Sequence, residues 1–362
     1  MKERVKEYLQ QAKQDPTRRS SLLNLALKPV SVILGPIYTP LLLGYLGDEK
    51  YGLWSTILSI ISWVNYTDIG ISHGLRNVLT KAISLKDYEK AKKSISTAYI
   101  VLTTISVSLL LLSIIFVFTL NWHDVFNTEI DMRFTLGISM AFICVNFVLA
   151  LSNTIFYSLQ LSHRVALRNC IIQVLNIAGI LFLRKTVPSN LVLISILFGS
   201  TTSIVYITNT ILLIKKYSFV RIKPALFDKS GVKDIANIGL KFFVIQIACL
   251  ALYTVDNLLI TNMFGGEAVT PFNITYRIFN TAYAFLTALC VPYWSKTTDA
   301  YEKKDIKWIK SSIAHLNQIA LLFIAGFIIL AIIFKPLASL WLRRELDYQP
   351  GLIQVMCIYY CL

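Results

Sequence analysis

NLALKPVSVILGPIYTPLLLGYLGDEKYGLW, residues 24–54, is the stretch that decides the architecture of this chain. An apolar helix comes first, followed by a polar turn at 47–50 and the beginning of a second apolar helix. The pattern occurs twice, because residues 24–28 reappear as 237–241 and the turn reappears around 265–267. The stretch therefore marks the beginning of a repeat.

A polar loop supports the same repeat. Residues 86–95 return as 304–313, and from the turn onward the two copies are related by a constant shift of about 218 positions. A chance match between two apolar helices would not keep this shift across a polar loop. We infer two homologous halves, which is typical of internally repeated membrane proteins.

Composition indicates the same class. Hydrophobic residues make up 55% of the 362 residues, charged residues only 15%, and the mean hydropathy is +0.61. An ordinary soluble domain has far more charge. The six cysteines occur singly inside apolar runs, which favours small core residues over metal ligands or a disulfide framework. The charged first twenty residues lack the pattern of a removable signal peptide.

Apolar runs long enough to cross about 30 Å of hydrocarbon predict the spans of an all-α, polytopic membrane protein. About ten segments qualify: 21–46, 51–72, 94–120, 134–158, 169–184, 190–214, 235–263, 268–295, 312–342 and 351–362. The tenth has about half the length that a span needs. Because a repeat of six helices requires twelve, we expect the natural protein to continue beyond Leu362.

The basic residues predict the orientation, because cationic loops resist translocation. With the N-terminus inside, the cytoplasmic segments hold 25 lysines and arginines and the opposite loops hold 6. Residues 73–93, 215–234 and 296–310 are then cytoplasmic and 121–133 external. We predict a cytoplasmic segment 1–20, a six-helix bundle 21–214, a basic linker 215–234, and an incomplete second bundle 235–362. The cytoplasmic segments at 73–93 and 215–234 are expected to form basic surface helices.

The motifs of P-loop nucleotide hydrolases and of zinc peptidases are absent, since no GxxxxGK[ST] or HExxH pattern occurs in the sequence. The loops are also too short to form a soluble domain. We therefore expect a protein that is not an enzyme and carries no cofactor or metal. Most of the net charge of +15 comes from basic residues in the predicted cytoplasmic segments. This charge therefore reflects membrane topology and does not indicate binding to nucleic acid.

Charged residues inside the spans are functional candidates, because a charge at the bilayer centre costs about 2.5–3.5 kcal/mol on insertion scales. Lys28 and Lys241 recur at the same place in both halves, although their amines lie near enough to the inner surface to reach water. Asp68 lies near the inner end of the second span, where an interfacial role is the alternative. Asp256 lies deeper.

Arg277 is the deepest cation, about 14 Å into its helix at 1.5 Å per residue. Asn273 and Asn280 share its helix face, and Gln246 lies on a polar face of the preceding span. With the two lysines these residues predict a hydrated lumen. One alternative is that the uncharged side chains only join helices by hydrogen bonds. The other is that Arg277 forms a structural ion pair with Asp256.

Short motifs in both halves carry a resemblance to a known family. They are 51–54 (YGLW), 68–71 (DIGI) and 74–77 (GLRN) in the first half and 292–295 (PYWS) in the second. With these motifs the chain resembles the polysaccharide-unit flippases, often called Wzx-type, of the multidrug/oligosaccharidyl-lipid/polysaccharide exporter superfamily. The chain departs from the family pattern in two ways. It has Phe272 where the family has tyrosine, and the last two of the family's twelve helices are missing.

This resemblance implies two inverted-V helix bundles, as in MATE-like transporters, that work by alternating access. The implied cargo is an undecaprenyl-diphosphate-linked O-antigen or other oligosaccharide repeat unit, moved from the cytoplasmic to the outer leaflet of a bacterial inner membrane. The polysaccharide assembly machinery is an implied partner, and a proton or sodium ion bound at Asp68 or Asp256 is the implied coupling ion. A lumen with Lys28, Lys241 and Arg277 suits a diphosphate.

Three alternatives remain at this point. A multidrug or organic-cation antiporter of the same superfamily would share the fold, but its cargo favours an acidic lumen. A membrane polysaccharide polymerase needs a large external loop, which this sequence lacks. A purely structural protein would leave the charges inside the spans unexplained.

Overall fold

The computed structural model describes residues 37–65, 70–229, 231–233, 255–302 and 305–362 and the single positions 23, 27, 30, 34, 35, 68 and 243, with only the backbone described for 287–302. Every regular element in these residues is helical, in agreement with the predicted all-α class. Two compact units are formed, Met1–Gly266 and Glu267–Leu362. The predicted bundles 21–214 and 235–362 remain predictions.

Most of the described helices follow one another with short connections. In the first unit they are α1 Ile37–Leu46, α2 Asp48–Asn65, α3 Ile71–Ser84, α4 Tyr88–Thr119, α5 Trp122–Phe126, α6 Arg133–Leu149, α7 Leu151–Ser158, α8 Ser162–Thr186, α9 Leu191–Lys216 and α10 Asp256–Phe264. The long helix α11, Gly266–Glu302, leads into the second unit, where it is followed by α12 Ile306–Ile332, α13 Phe334–Leu342 and α14 Leu352–Cys361.

Within the described residues, 5 segments are long and apolar enough to cross a membrane. They are α4, α6 together with α7, α8, α9 and α12, and they coincide with the predicted spans 94–120, 134–158, 169–184, 190–214 and 312–342. The predicted total of ten spans is neither confirmed nor contradicted.

The sequence placed the beginning of the fifth span too late. The predicted span 169–184 begins after Arg168, because the arginine was assigned to a cytoplasmic loop. Instead α8 begins at Ser162, so Arg168 lies about 9 Å inside the helix at 1.5 Å per residue. The apolar residues 165–167, which precede the arginine, allow the helix to begin one turn and a half earlier.

The predicted second span, 51–72, is not one continuous helix. α2 ends at Asn65 and α3 begins at Ile71. Between them the Asp68 carboxylate accepts hydrogen bonds from the backbone N–H groups of Gly70, at 2.9 Å, and Ser72, at 3.2 Å. Gly70 has φ +72°, a left-handed conformation that glycine adopts at low cost. Asp68 therefore caps the first turn of α3, and the break follows from this local hydrogen bonding.

The backbone repeats where the sequence repeats. Gly47 and Gly265, related by the shift of about 218 positions, have φ +77° and +81°. Each donates its N–H to the carbonyl four residues earlier, at 2.8 Å in both cases. Asp87 and Asp305 obey the same shift, and each caps the following helix by accepting a backbone N–H at 3.0 Å. The turns and caps of the two halves therefore have the same local geometry.

The first unit packs around α3, α4 and the end of α7, where Leu75, Ile95 and Ile155 are fully buried. Residues 217–228 do not form the expected surface helix. They form two 3-10 turns, Ser218–Val220 and Pro224–Leu226, that lie against α4. The N–H groups of Lys223 and Asp228 donate to Ser96 Oγ and Thr97 Oγ1, at 3.1 Å and 3.0 Å. The segment therefore extends the first unit beyond α9.

Small and hydroxyl-bearing residues let α2 and α10 approach closely. A Cβ atom at Gly52 would collide with the carbonyl oxygen of Gly266. One turn further along α2, the hydroxyl of Thr56 is hydrogen-bonded to that of Thr261, and both threonines are fully buried. Close contact between small residues and hydrogen bonds between helices are the main sources of helix association in lipid.

In the second unit an aromatic cluster holds α11 against α12, α13 and α14. Phe279 of α11 is fully buried and stacks on Phe327, Phe334 and Tyr360, with centroids 6.1, 6.0 and 5.8 Å away. Such pairs contribute about 0.5–1.5 kcal/mol each beyond the area they bury. One face of α11 is therefore used for packing.

Candidate transport site

The predicted lumen residues fall into three groups. Lys28, Lys241 and Gln246 lie outside the described residues, so their predicted role stays a prediction. Arg277, Asn273 and Asn280 belong to the second unit, and the two ion-coupling candidates belong to the first.

Arg277 lies on a polar face of α11. Asn273, Arg277 and Asn280 follow one another at helical spacing, and the first two are half-buried while Asn280 is exposed. The neighbouring face carries Phe279 and the other aromatic contacts of the unit. Asn273 donates from Nδ2 to the carbonyl of Val269 at 3.1 Å. These positions agree with a lumen face on α11, and the binding role of that face remains a prediction.

The two carboxylates predicted to bind a coupling ion differ in their surroundings. Asp68 is buried, 5% exposed, and its oxygens cap α3. Asp256 is exposed at the first residue of α10. Its neighbour Asn257 donates from Nδ2 to Ser59 Oγ of α2 at 2.8 Å. The proposed pairing of Asp256 with Arg277 joins two units and remains a prediction.

A cavity of about 220 Å³ lies inside the first unit, between α2, α6 and α9. Its aromatic wall contains Trp54, Phe142, Phe198 and Tyr206. Trp54 and Phe198 pack edge to face at 5.2 Å. The close approach of α6 to α9 depends on Gly199, because a Cβ atom there would overlap the ring of Phe142.

The other wall of this cavity is polar. Ser139 and Ser195 share a hydrogen bond of 2.9 Å between α6 and α9. Asn146 donates to the carbonyl of Gly199 at 3.3 Å and accepts from the hydroxyl of Ser203 at 2.8 Å. The indole N–H of Trp54 is buried and has no hydrogen-bond acceptor among the described residues. The wall thus combines aromatic surface with hydrogen-bonding groups, as small-molecule pockets do.

Next to this cavity lies a buried cation that the sequence analysis missed. Arg168 of α8 is 3% exposed, and its guanidinium carbon lies 4.2 Å from the ring centroid of Tyr206. Nη2 donates to Asn169 Oδ1 at 2.9 Å. Nε and Nη1 have no acceptor among the described residues. Only the apolar residues before Arg168 indicated that it lies within a span.

A second arginine makes a related contact but lies at the surface. Arg76 of α3 is exposed, and its guanidinium carbon lies 4.9 Å from the ring centroid of Tyr157. The hydroxyl of Ser158 donates to the backbone carbonyl of Arg76 at 3.3 Å. Water can solvate Arg76, whereas Arg168 is surrounded by protein.

Comparison with solved structures defines the class of the protein. An inward-facing multidrug resistance MATE family transporter of the MOP superfamily superposes with a TM-score of 0.73 at 14% identity, over 94% of this chain and 79% of that one. A MOP superfamily transporter from Pyrococcus furiosus superposes with a TM-score of 0.64 at 16% identity, over 96% and 77%. The chain therefore has the fold of MOP superfamily transporters and is a multi-pass membrane protein.

The chain belongs to the polysaccharide biosynthesis protein family, whose model matches residues 18–298. A protein of Salmonella typhimurium (strain LT2) named "Putative O-antigen transporter" is 20% identical over 337 residues, which cover 89% of this chain and 75% of the relative. The family model confirms the predicted family resemblance, and the structural matches confirm the predicted superfamily fold.

Proposed function

We propose that this protein moves an undecaprenyl-diphosphate-linked oligosaccharide from the cytoplasmic to the outer leaflet of a bacterial inner membrane. The main observation that supports this proposal is that the buried charge beside the cavity is positive. Arg168 is buried there, and no described carboxylate lies within ion-pair distance of it. A buried cation favours an anionic cargo, and membership of a polysaccharide biosynthesis family favours a lipid-linked sugar.

Two halves with the same turns and caps support alternating access as the mechanism. The Gly47 and Gly265 turns have equal geometry, so each half can tilt around a similar connection. Internally repeated transporters commonly expose a central site first to one side and then to the other. The cargo would enter from the cytoplasmic leaflet, with its sugars in the lumen and its polyprenyl chain in lipid.

The proposed orientation can be tested by thiol labelling of intact cells. Glu129 precedes α6 and its side chain is 93% exposed, and Lys229 is an exposed residue after α9. In a background without native cysteines, Glu129→Cys should react with an impermeant maleimide and Lys229→Cys only after permeabilisation. The opposite labelling would reverse the orientation.

A multidrug or organic-cation antiporter is the second candidate, because MATE transporters share the fold. Its cargo requires an accessible carboxylate, and Asp256 is exposed at the beginning of α10. Asp68 fits this role less well because its oxygens already cap α3. Ethidium transport that is lost in Asp256→Asn would support this candidate.

Translocation in proteoliposomes tests the main proposal. A lipid-linked oligosaccharide with a fluorescent sugar is placed in the inner leaflet, and its arrival outside is measured by quenching with an impermeant reductant. We expect quenching to exceed that of protein-free vesicles and of vesicles with heat-denatured protein. Equal quenching in all three would contradict the proposal.

The same vesicles test whether transport depends on a coupling ion. We propose a proton or sodium ion carried by Asp68 or Asp256. Ionophores that collapse both gradients should slow translocation, and Asp256→Asn should remove this dependence. Unchanged rates after collapse would rule out ion coupling while leaving the cargo proposal intact.

A further inference from the structure

The guanidinium of Arg168 lacks the partners that a buried charge requires. Only Nη2 has an oxygen acceptor, Asn169 Oδ1, while Nε and Nη1 are buried without an acceptor in the described part of the chain. Leaving donors of a charged group unpaired is costly, and so is a charge without a counterion away from water. The described residues around Arg168 therefore supply no acceptor for two of its donors.

Tyr206 compensates the charge only in part. Its ring face attracts the guanidinium at 4.2 Å, a cation–π contact. This face offers no oxygen to Nε or Nη1. Tyr206 is half-buried and also lines the 220 Å³ cavity, so the same side chain contacts both the cation and the cavity. At about 30 Å³ per water, the cavity has room for about seven waters or a hydrated anion.

We propose that Arg168 is the binding residue for a phosphate group of the cargo diphosphate, which enters through the cavity and displaces the ring of Tyr206. This inference rests on the proposed function. Phosphate oxygens accept hydrogen bonds from a planar guanidinium in good geometry, and such charge-assisted bonds are among the strongest in proteins. Without cargo, Tyr206 covers the cation. With cargo, oxygen atoms take the two donors that have no acceptor.

Arg164 provides a matched control on the same helix. It lies one turn before Arg168 in the first turn of α8 and is exposed. Arg164→Gln and Arg168→Gln remove the same charge from the same region of the membrane. A general electrostatic attraction of anionic lipid would respond to both changes, whereas a specific site would respond to Arg168 alone.

The test measures binding of farnesyl diphosphate, a soluble polyprenyl diphosphate, to the full chain in phosphatidylcholine nanodiscs by calorimetry. We expect Arg168→Gln to weaken binding by about tenfold or more and Arg168→Lys by a smaller factor, because lysine keeps the charge without the planar fork. Arg164→Gln should stay within about twofold of the wild type, as surface charges contribute little.

The phosphate on Arg168 has two possible sources, the cargo and the phospholipid headgroups. In nanodiscs with phosphatidylglycerol, farnesyl diphosphate should bind the wild type about as tightly as in phosphatidylcholine. If phosphatidylglycerol abolishes that binding, the site belongs to membrane lipid and the cargo assignment is overturned. Inorganic pyrophosphate should compete weakly, because it lacks the chain that places the diphosphate at the membrane.

Size-exclusion profiles and melting temperatures establish that each variant is folded. If Arg168→Gln does not fold, the affinity of Arg168→Lys for farnesyl diphosphate decides the test, since lysine preserves the positive charge and the contact with Tyr206. Affinity equal to wild type in the folded variants overturns the inference. If the wild type translocates cargo but Arg168→Gln binds normally, only this inference fails. If farnesyl diphosphate binds through Arg168 but nothing is translocated, only the proposed function fails.

Discussion

The helices α2 and α11 occupy equivalent places in the two halves and differ mainly in their polar faces. Both follow a glycine with positive φ, Gly47 or Gly265, and both begin one residue after it. The shift of about 218 positions pairs three serines of α2 with three larger polar residues of α11: Ser55 with Asn273, Ser59 with Arg277 and Ser62 with Asn280. The two halves therefore share the glycine turn but differ in the polar face of the helix that follows it.

The serines of α2 serve contact between helices. Ser59 donates to the carbonyl of Ser55 at 3.2 Å and accepts from Asn257 of α10 at 2.8 Å, while Ser62 donates to the carbonyl of Ser59 at 2.6 Å. Short side chains of this kind let α10 come close. A guanidinium at the position of Ser59 would need more space and an acceptor. The two halves therefore share the backbone conformation of their turns. The side chains on the faces of the following helices differ, because each face contacts different groups.

The largest effect is expected at Gly52, whose counterpart in the second half is the buried residue Thr270. Since a Cβ atom at Gly52 would collide with the carbonyl oxygen of Gly266, two residues after the end of α10, Gly52→Ala must push α2 away from this turn. We expect a loss of about 3 kcal/mol of stability, measured by chemical or thermal unfolding in detergent.

Gly44→Ala is the control for this change, because a Cβ atom at Gly44 meets nothing within 4 Å. That variant should be neutral or more stable by about 0.5–1 kcal/mol, the helix preference of alanine over glycine. Equal stability of the two alanine variants would show that α2 does not require its close approach to the turn at Gly266.

The next largest effect concerns transport and compares Arg277 with Ser59. If the polar face of α11 holds the cargo, Arg277→Ala should reduce translocation about tenfold or more, equivalent to about 1.4 kcal/mol, with normal membrane levels. Ser59→Ala should leave the rate within about twofold, because this hydroxyl already bonds to its own helix and to Asn257. Proteoliposomes with cargo are the assay.

A double variant separates binding of cargo by Arg277 from an ion pair with Asp256. Arg277→Ala with Asp256→Ala should restore folding and transport if the two residues form a structural pair. The same double variant should remain folded and inactive if Arg277 binds cargo. Full transport by Arg277→Ala alone would contradict both interpretations.

The features that could be predicted from the sequence depend on neighbouring residues or on a periodic pattern. The repeated turn depends on a few neighbouring residues, so the shift of about 218 positions predicted it, and the aspartate caps recur at the same shift. The span-length helices followed from hydropathy. The family followed from short motifs in both halves, and the family model confirms it.

What the sequence could not predict depends on neighbours from other helices. Arg168 was counted with the cytoplasmic cations, because one sequence does not show that Tyr206 of α9 lies over it. Asp68 was a coupling candidate because its capping of α3 depends on a break after Asn65 that hydropathy does not reveal. The cavity between α2, α6 and α9 likewise requires the packing of three helices.

A smaller effect is expected for the buried hydroxyl pair of α2 and α10. The counterparts of Thr56 and Thr261 are the buried apolar residues Ile274 and Leu43. Thr56→Val or Thr261→Val alone removes the contact between the two hydroxyls but leaves the remaining one bonded to a carbonyl of its own helix, Gly52 for Thr56 or Asn257 for Thr261, so it should cost about 1 kcal/mol. The double valine variant should be nearly neutral, as the apolar counterparts suggest. Additive losses in the double variant would argue against a direct hydroxyl contact.

The smallest effect is expected at the segment between α4 and α6, where the two halves carry different titratable side chains. His123 Nε2 lies 2.9 Å from Glu129 Oε1, and this hydrogen bond, followed by the charges of Glu129 and Asp124, raises the pKa of His123 above its ordinary value of 6.5. The counterparts of His123 and Glu129 are Trp341 and Asp347. Next to Asp347, burial raises the pKa of Tyr348 to about 12, far above neutrality.

Because the pKa of His123 is raised in the folded state, its contribution to stability is complete below pH 6.5 and is lost as the pH rises through the raised value. Glu129→Gln should bring the pKa back toward 6.5, as followed by NMR of labelled histidine and assigned with His123→Gln. His123 is solvent-exposed, so melting temperatures should hardly change. A pKa that is the same in Glu129→Gln and wild type would mean that the two side chains do not interact, and these segments of the two halves would then not differ through this pair.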